Sequence, residues 1–182
     1  MRIEEDLKLD FQDVLIRPKR STLGSRAEVD ISREFAFRHS GRKYHGVPII
    51  AANMDTVGTM EMAGALARHQ MATALHKHYA EDQLVAFFQT LPAGATVFYS
   101  MGITAEDYDK FRRVEARCGE AVSLVCVDVA NGYTKAFVDS LHKLRAAYPA
   151  AEICLSGPRA FVPLYAAQPF GVIALPFDPR EV

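Results

Sequence analysis

Three short stretches combine polar groups of the kinds that move protons or hold anions. Asn53-Met54-Asp55-Thr56-Val57-Gly58 brings an amide, a carboxylate and a hydroxyl close together. His76-Lys77-His78 sets an ammonium between two imidazoles, and Asp128 closes the largely apolar run that begins at Ser123. An ammonium at the end of a buried strand is costly unless an anion neutralises it. Asp128 is a candidate partner across neighbouring strand ends, because each group would favour the other's charged form and such a pair can position or shuttle protons. Each stretch also has a plainer reading. Asp55 or Thr56 could cap a helix, and so could Asp128. His76 and His78 lack the third Cys, His or acid that a zinc site needs. Arg17-Pro18-Lys19-Arg20 suits either a phosphate or a solvated surface.

The elements that must position these residues form a repeating rhythm from residue 47 onward, an apolar run followed by an amphipathic segment, which predicts βα units. Strands are expected at 47–53, 72–77, 95–100, 123–128 and 151–155. Between them the periodicity predicts helices through Met60–Ala67, Ala80–Leu91, Ala105–Cys118 and Thr134–Ala147. If strand two runs through Lys77, alternation turns His76 and His78 to one face and Lys77 to the other. Five βα-type strands with short loops imply right-handed crossovers and a parallel sheet, open or part of a barrel. Ligands then gather at the carboxyl ends of the strands, where all three polar stretches fall.

Both ends of the chain break the rhythm. The first 46 residues carry dense charge and short apolar pairs, and read as an irregular N-terminal arm. Pro158, Pro163, Pro169, Pro176 and Pro179 crowd the other end and exclude helix or central strand there. The sequence changes character near Cys154, dividing residues 1–154 from an apolar, Pro-rich tail at 155–182.

Composition excludes several classes. Of 182 residues, 49% are hydrophobic and 24% charged, which suits a globular domain with its own core. The 21 Lys and Arg nearly balance the 22 Asp and Glu, so no overall field favours nucleic acid or an anionic membrane. No apolar run of about 18 residues appears and the N-terminus is too charged for a signal peptide, so neither export nor insertion is expected. Three cysteines without a CxxC pair fit a reducing cytoplasm. No phosphate loop of the GxGxxG or GxxxxGK[ST] type is present.

KLDFQDVLIRPKRSTLGSR, GVPIIAANMDTVGT, ALHKHY and DVANGY stand in the order and spacing of the GMP reductases. Over residues 1–154 the chain resembles that branch of the IMP dehydrogenase and GMP reductase superfamily of TIM (βα)8 barrels. IMP dehydrogenases share the MDTV stretch but usually have Ser-Pro before it and Lys-Asn after the histidine, where this chain has Ala52-Asn53 and Lys77-His78. An IMP dehydrogenase fragment is therefore the weaker alternative.

The resemblance implies NADPH-dependent reductive deamination of GMP to IMP with release of ammonia, in a cytoplasmic enzyme that is commonly a tetramer. A cysteine attacks C2 of the purine, ammonia leaves, and the nicotinamide hydride resolves the covalent intermediate. It marks Lys77 and Asp128 as catalytic and cofactor-facing, and Val129 and Ala130 as cofactor contacts. Ser25 and Arg26 become arm positions that reach a neighbouring subunit's cofactor, Arg26 by anion recognition, and Met54 becomes part of the nucleotide pocket. The family's glycine-rich loop, which carries the nucleophile and binds potassium, has no counterpart here. Cys118, Cys126 and Cys154 all lie in predicted helix or strand. A closed barrel takes about 250 residues. The expectation is thus an α/β partial TIM barrel of about five strands with an N-terminal arm, a truncated or frame-altered GMP reductase without turnover alone. A non-enzymatic module that binds NADPH or purine nucleotide, or that assembles with full-length subunits, is the competing expectation.

Overall fold

The computed structural model describes residues 11–156, apart from 16, 93 and 133. The predicted tail therefore lies outside the described residues from 157 onward. The chain divides into two units, Met1–Asp30 and Ile31–Val182.

In the first unit the described chain forms two single 3₁₀ turns, Phe11–Asp13 and Arg26–Glu28. Ser25 caps the second, its hydroxyl accepting from the Ala27 amide at 3.2 Å. The Glu28 carboxylate accepts from the Gly24 amide at 3.3 Å.

The second unit opens with a feature the sequence reading missed. Arg33–Ala36 (β1) and Lys43–Gly46 (β2) pair as an antiparallel hairpin where an irregular arm was expected. Only Phe35, Phe37 and Tyr44 are apolar and inward among charged neighbours, too few to reveal a period of two against that background. Tertiary packing supplies what the pattern lacks. Phe35 stacks on Tyr44 with ring centroids 4.8 Å apart, and Phe37 meets Phe98 edge-on at 6.4 Å. The Tyr44 hydroxyl donates to the carbonyls of Val47 at 2.5 Å and Gln70 at 2.9 Å.

Five parallel strands follow in sequential order: Ile50–Ala51 (β3), Ala72–Ala74 (β4), Thr96–Met101 (β5), Leu124–Asp128 (β6) and Glu152–Ser156 (β7). Between them lie Met60–Ala67 (α1), Glu81–Gln89 (α2), Ala105–Cys118 (α3) and Lys135–Ala147 (α4). Each helix begins where local chemistry dictates. The hydroxyls of Thr59, Thr104 and Thr134 accept from amides in the first turns of α1, α3 and α4. The Gln83 side chain reaches back to the Ala80 amide before α2. Neither Asp55, Thr56 nor Asp128 is a cap, which removes their plainer reading.

Alternation splits the strands between two cores. Val97, Tyr99, Met101, Val125, Val127 and Ile153 pack outward against the helices. Ala72, Ala74, Phe98, Leu124 and Cys126 point the other way, onto the concave face that the hairpin's aromatic rings plug. The sheet is curled. In a flat sheet its outer strands would lie about 19 Å apart, four steps of about 4.8 Å, yet the Ser156 hydroxyl at the end of β7 donates to the Asn53 amide oxygen just after β3 at 2.9 Å. This is the partial (βα)8 barrel that the sequence predicts, with two differences in extent. The expected strands at 47–53 and 72–77 shrink to Ile50–Ala51 and Ala72–Ala74, and β7 continues through Ser156, past the expected boundary at residue 154.

His39, in the hairpin turn, carries a pH signature. Burial, with Arg145 nearby, holds its pKa below the ordinary 6.5, while Glu152 opposes this. The unfolded chain therefore binds the proton more readily, so the stability from neutral His39 is complete above about pH 6.5 and lost as pH falls through the depressed folded value. Urea midpoints measured from pH 7.5 to 5 are expected to decline, and His39→Gln to flatten that decline.

Candidate active site at the carboxyl rim

Polar side chains collect at the carboxyl ends of the parallel strands. Asn53 follows β3, Lys77 follows β4, Asp128 ends β6 and Ser156 ends β7. Lys77 Nζ lies 3.2 Å from Asp128 Oδ2, with the two side chains 36% and 28% exposed. The pairing expected from the sequence is present, but not between neighbouring strands: β5 runs between β4 and β6. Lys77 bridges that gap because it does not belong to a strand. The Leu75 amide still donates to Phe98 on β5, after which the His76 amide turns to the Gly58 carbonyl at 2.8 Å. Lys77 and His78 then form a turn.

This turn is held from several sides. The Lys110 ammonium, reaching from α3, donates to the carbonyls of Lys77 at 3.2 Å and Tyr79 at 2.5 Å. Burial lowers the Lys110 pKa, with Asp107, Glu106 and Glu81 opposing. The Tyr79 ring stacks on His76 at 3.9 Å, and its hydroxyl accepts from the Met60 amide at the start of α1. Lys110 and Ser156 are contributors that the sequence reading did not single out. Both act through tertiary neighbours 33 and 103 residues away, a separation no local pattern reports.

Gly58 makes the close approach possible. A β-carbon there would sit 2.3 Å from the Ala74 carbonyl oxygen and 2.8 Å from that of Ala52. Both obstacles are backbone, so Gly58→Ala must displace the loop or the end of β4. The expected cost is about 1–3 kcal/mol, read as a lower urea midpoint with unchanged slope.

The other expected site residues fall as follows. Met54 is 62% exposed at the tip of the rim loop, where its carbonyl accepts from the Val57 and Gly58 amides. Val129 leaves the rim to pack against the helix-side core, while Ala130 is exposed. Ser25 and Arg26 lie in the first unit, and the Ser25 hydroxyl is engaged in its cap. His78 Nε2 stands 3.4 Å from Asp55 Oδ1, both exposed. Among the described residues no group of three or more His, Cys, Asp or Glu could hold a metal ion, and no helix is long and apolar enough to cross a membrane.

The IMP dehydrogenase / GMP reductase domain matches residues 8–158. The chain belongs to this family. GMP reductases from Salmonella typhi and Citrobacter koseri are each 53% identical over 156 residues, covering 85% of this chain and 45% of theirs. The crystal structure of inosine 5'-monophosphate dehydrogenase from Legionella pneumophila superposes with a TM-score of 0.66 at 25% identity, over 80% of this chain and 43% of that one. The chain thus spans about half the length of the curated relatives it matches. Within the IMP dehydrogenase / GMP reductase fold, the Lys77–Asp128 pair occupies the end of the barrel where a (βα)8 framework gathers its chemistry.

Proposed function

We propose that this chain carries the cofactor-facing part of a GMP reductase site, serving the NADPH-dependent conversion of GMP to IMP and ammonia. The observation that carries the reading is the Lys77–Asp128 ion pair at the carboxyl rim. The 53% identity to GMP reductases, against 25% to an IMP dehydrogenase structure, favours the reductase branch.

The residues present fit a nicotinamide nucleotide. Lys77 offers a half-exposed ammonium for a phosphate or carboxamide oxygen, and Asp128 holds it at the rim. Backbone groups at Val129 and Ala130 adjoin Asp128, and Ser25 and Arg26 would serve the cofactor of a neighbouring subunit in an oligomer such as a tetramer. Met54 would border the purine nucleotide. When bound, NADPH supplies the hydride. Lys77 would stand beside the reacting base, and Asp128 would keep its side chain aimed there.

Turnover also needs a nucleophile, and the cysteines are poorly placed for it. Cys118 ends α3, while Cys126 and Cys154 sit within β6 and β7. Their placement favours a second reading, a module that binds NADPH or purine nucleotide without reducing it. Nicotinamide absorbance with GMP and the purified chain, paired with calorimetric titration of NADPH, separates the two. Binding without absorbance change is expected. Steady oxidation of NADPH would overturn the second reading, and absence of binding would overturn both.

A further inference from the structure

Two of the three cysteines are register partners. Cys126 on β6 stands directly opposite Cys154 on β7, and both side chains face the concave side of the sheet. Neighbouring strands run about 4.8 Å apart, within the Cα separation of roughly 4.4–6.8 Å that a disulfide spans. Both thiols are free, and each sulfur shifts the acidity of the other. Ser100, the register partner of Cys126 on β5, buries a hydroxyl that finds no oxygen or nitrogen partner among the described residues. The sulfurs thus line the wall of the barrel beside the Ser100 hydroxyl, which pulls the Cys126 pKa down against burial. Two sulfurs side by side can do what isolated core cysteines cannot, namely exchange as a pair.

We propose that Cys126 and Cys154 form a vicinal dithiol, an oxidation site that low-molecular-weight disulfides convert to an intramolecular disulfide and that trivalent arsenicals capture. Cys154 is the attacking sulfur. It is half-buried on the outermost described strand, whereas Cys126 is 2% exposed. The hydrogen bond from Cys126 lowers the Cys154 pKa, and the same bond together with burial raises that of Cys126.

The exchange balances in two steps. The Cys154 thiolate attacks one sulfur of glutathione disulfide, the S–S bond breaks, and one glutathione leaves and takes up a proton. The Cys126 sulfur then gives its proton to solvent and attacks Cys154 Sγ, releasing the second glutathione as thiolate, which is protonated in turn. The two cysteines lose two electrons and two protons, and the glutathione disulfide gains both. A disulfide joining directly paired strands is under strain, so a mild reductant should reopen it.

The test uses the full chain carrying Cys118→Ser, so that only this pair can react. After incubation with glutathione disulfide, intact-mass measurement is expected to show loss of both free thiols with no glutathione retained. Adding Cys126→Ser should arrest the reaction as a stable glutathione adduct on Cys154. Phenylarsine oxide provides an arm that leaves the pair unsubstituted: one phenylarsenic group should add per chain with loss of one water. Two free thiols after oxidant, a persistent adduct with both cysteines present, or no arsenical capture would each overturn the proposal.

Discussion

Glu152→Ala is expected to lower the unfolding free energy by about 3–5 kcal/mol, a large share of the roughly 5–15 kcal/mol that holds a domain together. Glu152 begins β7 at the closed end of the barrel and is only 2% exposed. Its Oε1 accepts from the amides of His39 and Ser40 in the hairpin turn, the latter at 2.6 Å. Its charge also opposes the desolvation of Arg145, whose guanidinium donates to the Tyr148, Pro149 and Ala151 carbonyls. Truncation orphans two part-buried donors and removes the anion near a half-buried cation. Glu152→Gln is expected to cost less, about 1–2 kcal/mol, because its amide oxygen can accept both bonds and only the charge is lost. Urea denaturation at pH 7.5 measures both, and equal costs would show that the two amide bonds carry none of the stability.

Lys77→Met is expected to weaken NADPH binding about tenfold to a hundredfold, the worth of one charge-assisted contact at roughly 1.5–3 kcal/mol. Stability should hardly change. The pair with Asp128 is over a quarter exposed on both sides, and such ion pairs contribute about 0–1 kcal/mol. Asp128→Asn should weaken binding less, since Lys77 keeps its charge and loses only its anchor. Calorimetric titration beside urea denaturation reads the two effects separately. Unchanged affinity in Lys77→Met would remove Lys77 from the cofactor site, whereas parallel losses of affinity and stability would reduce its role to structure.

What the sequence could disclose depended on whether the cause was local. The α3 bounds, Ala105–Cys118, follow from Thr104 and Asp107 capping one another and from Gly119 at the other end with φ near 56°. The buried strand β6 announces itself as a nearly continuous apolar run. Lys77 and Asp128 were legible as partners because each ends an apolar stretch, and an isolated charge there demands compensation. That Lys77 leaves its expected strand was not legible, since the turn at 77–78 is set by Gly58 and Lys110 from other elements. The hairpin was missed because Phe35, Phe37 and Tyr44 gain their meaning only against Phe98, more than fifty residues away.

The aromatic floor formed by Phe35, Phe37, Tyr44 and Phe98 divides labour along the barrel axis. Aromatic packing gathers at one pole and the rim ion pair at the other. Substitutions that repack the floor are therefore expected to shift the urea midpoint while leaving the Lys77–Asp128 pair in place.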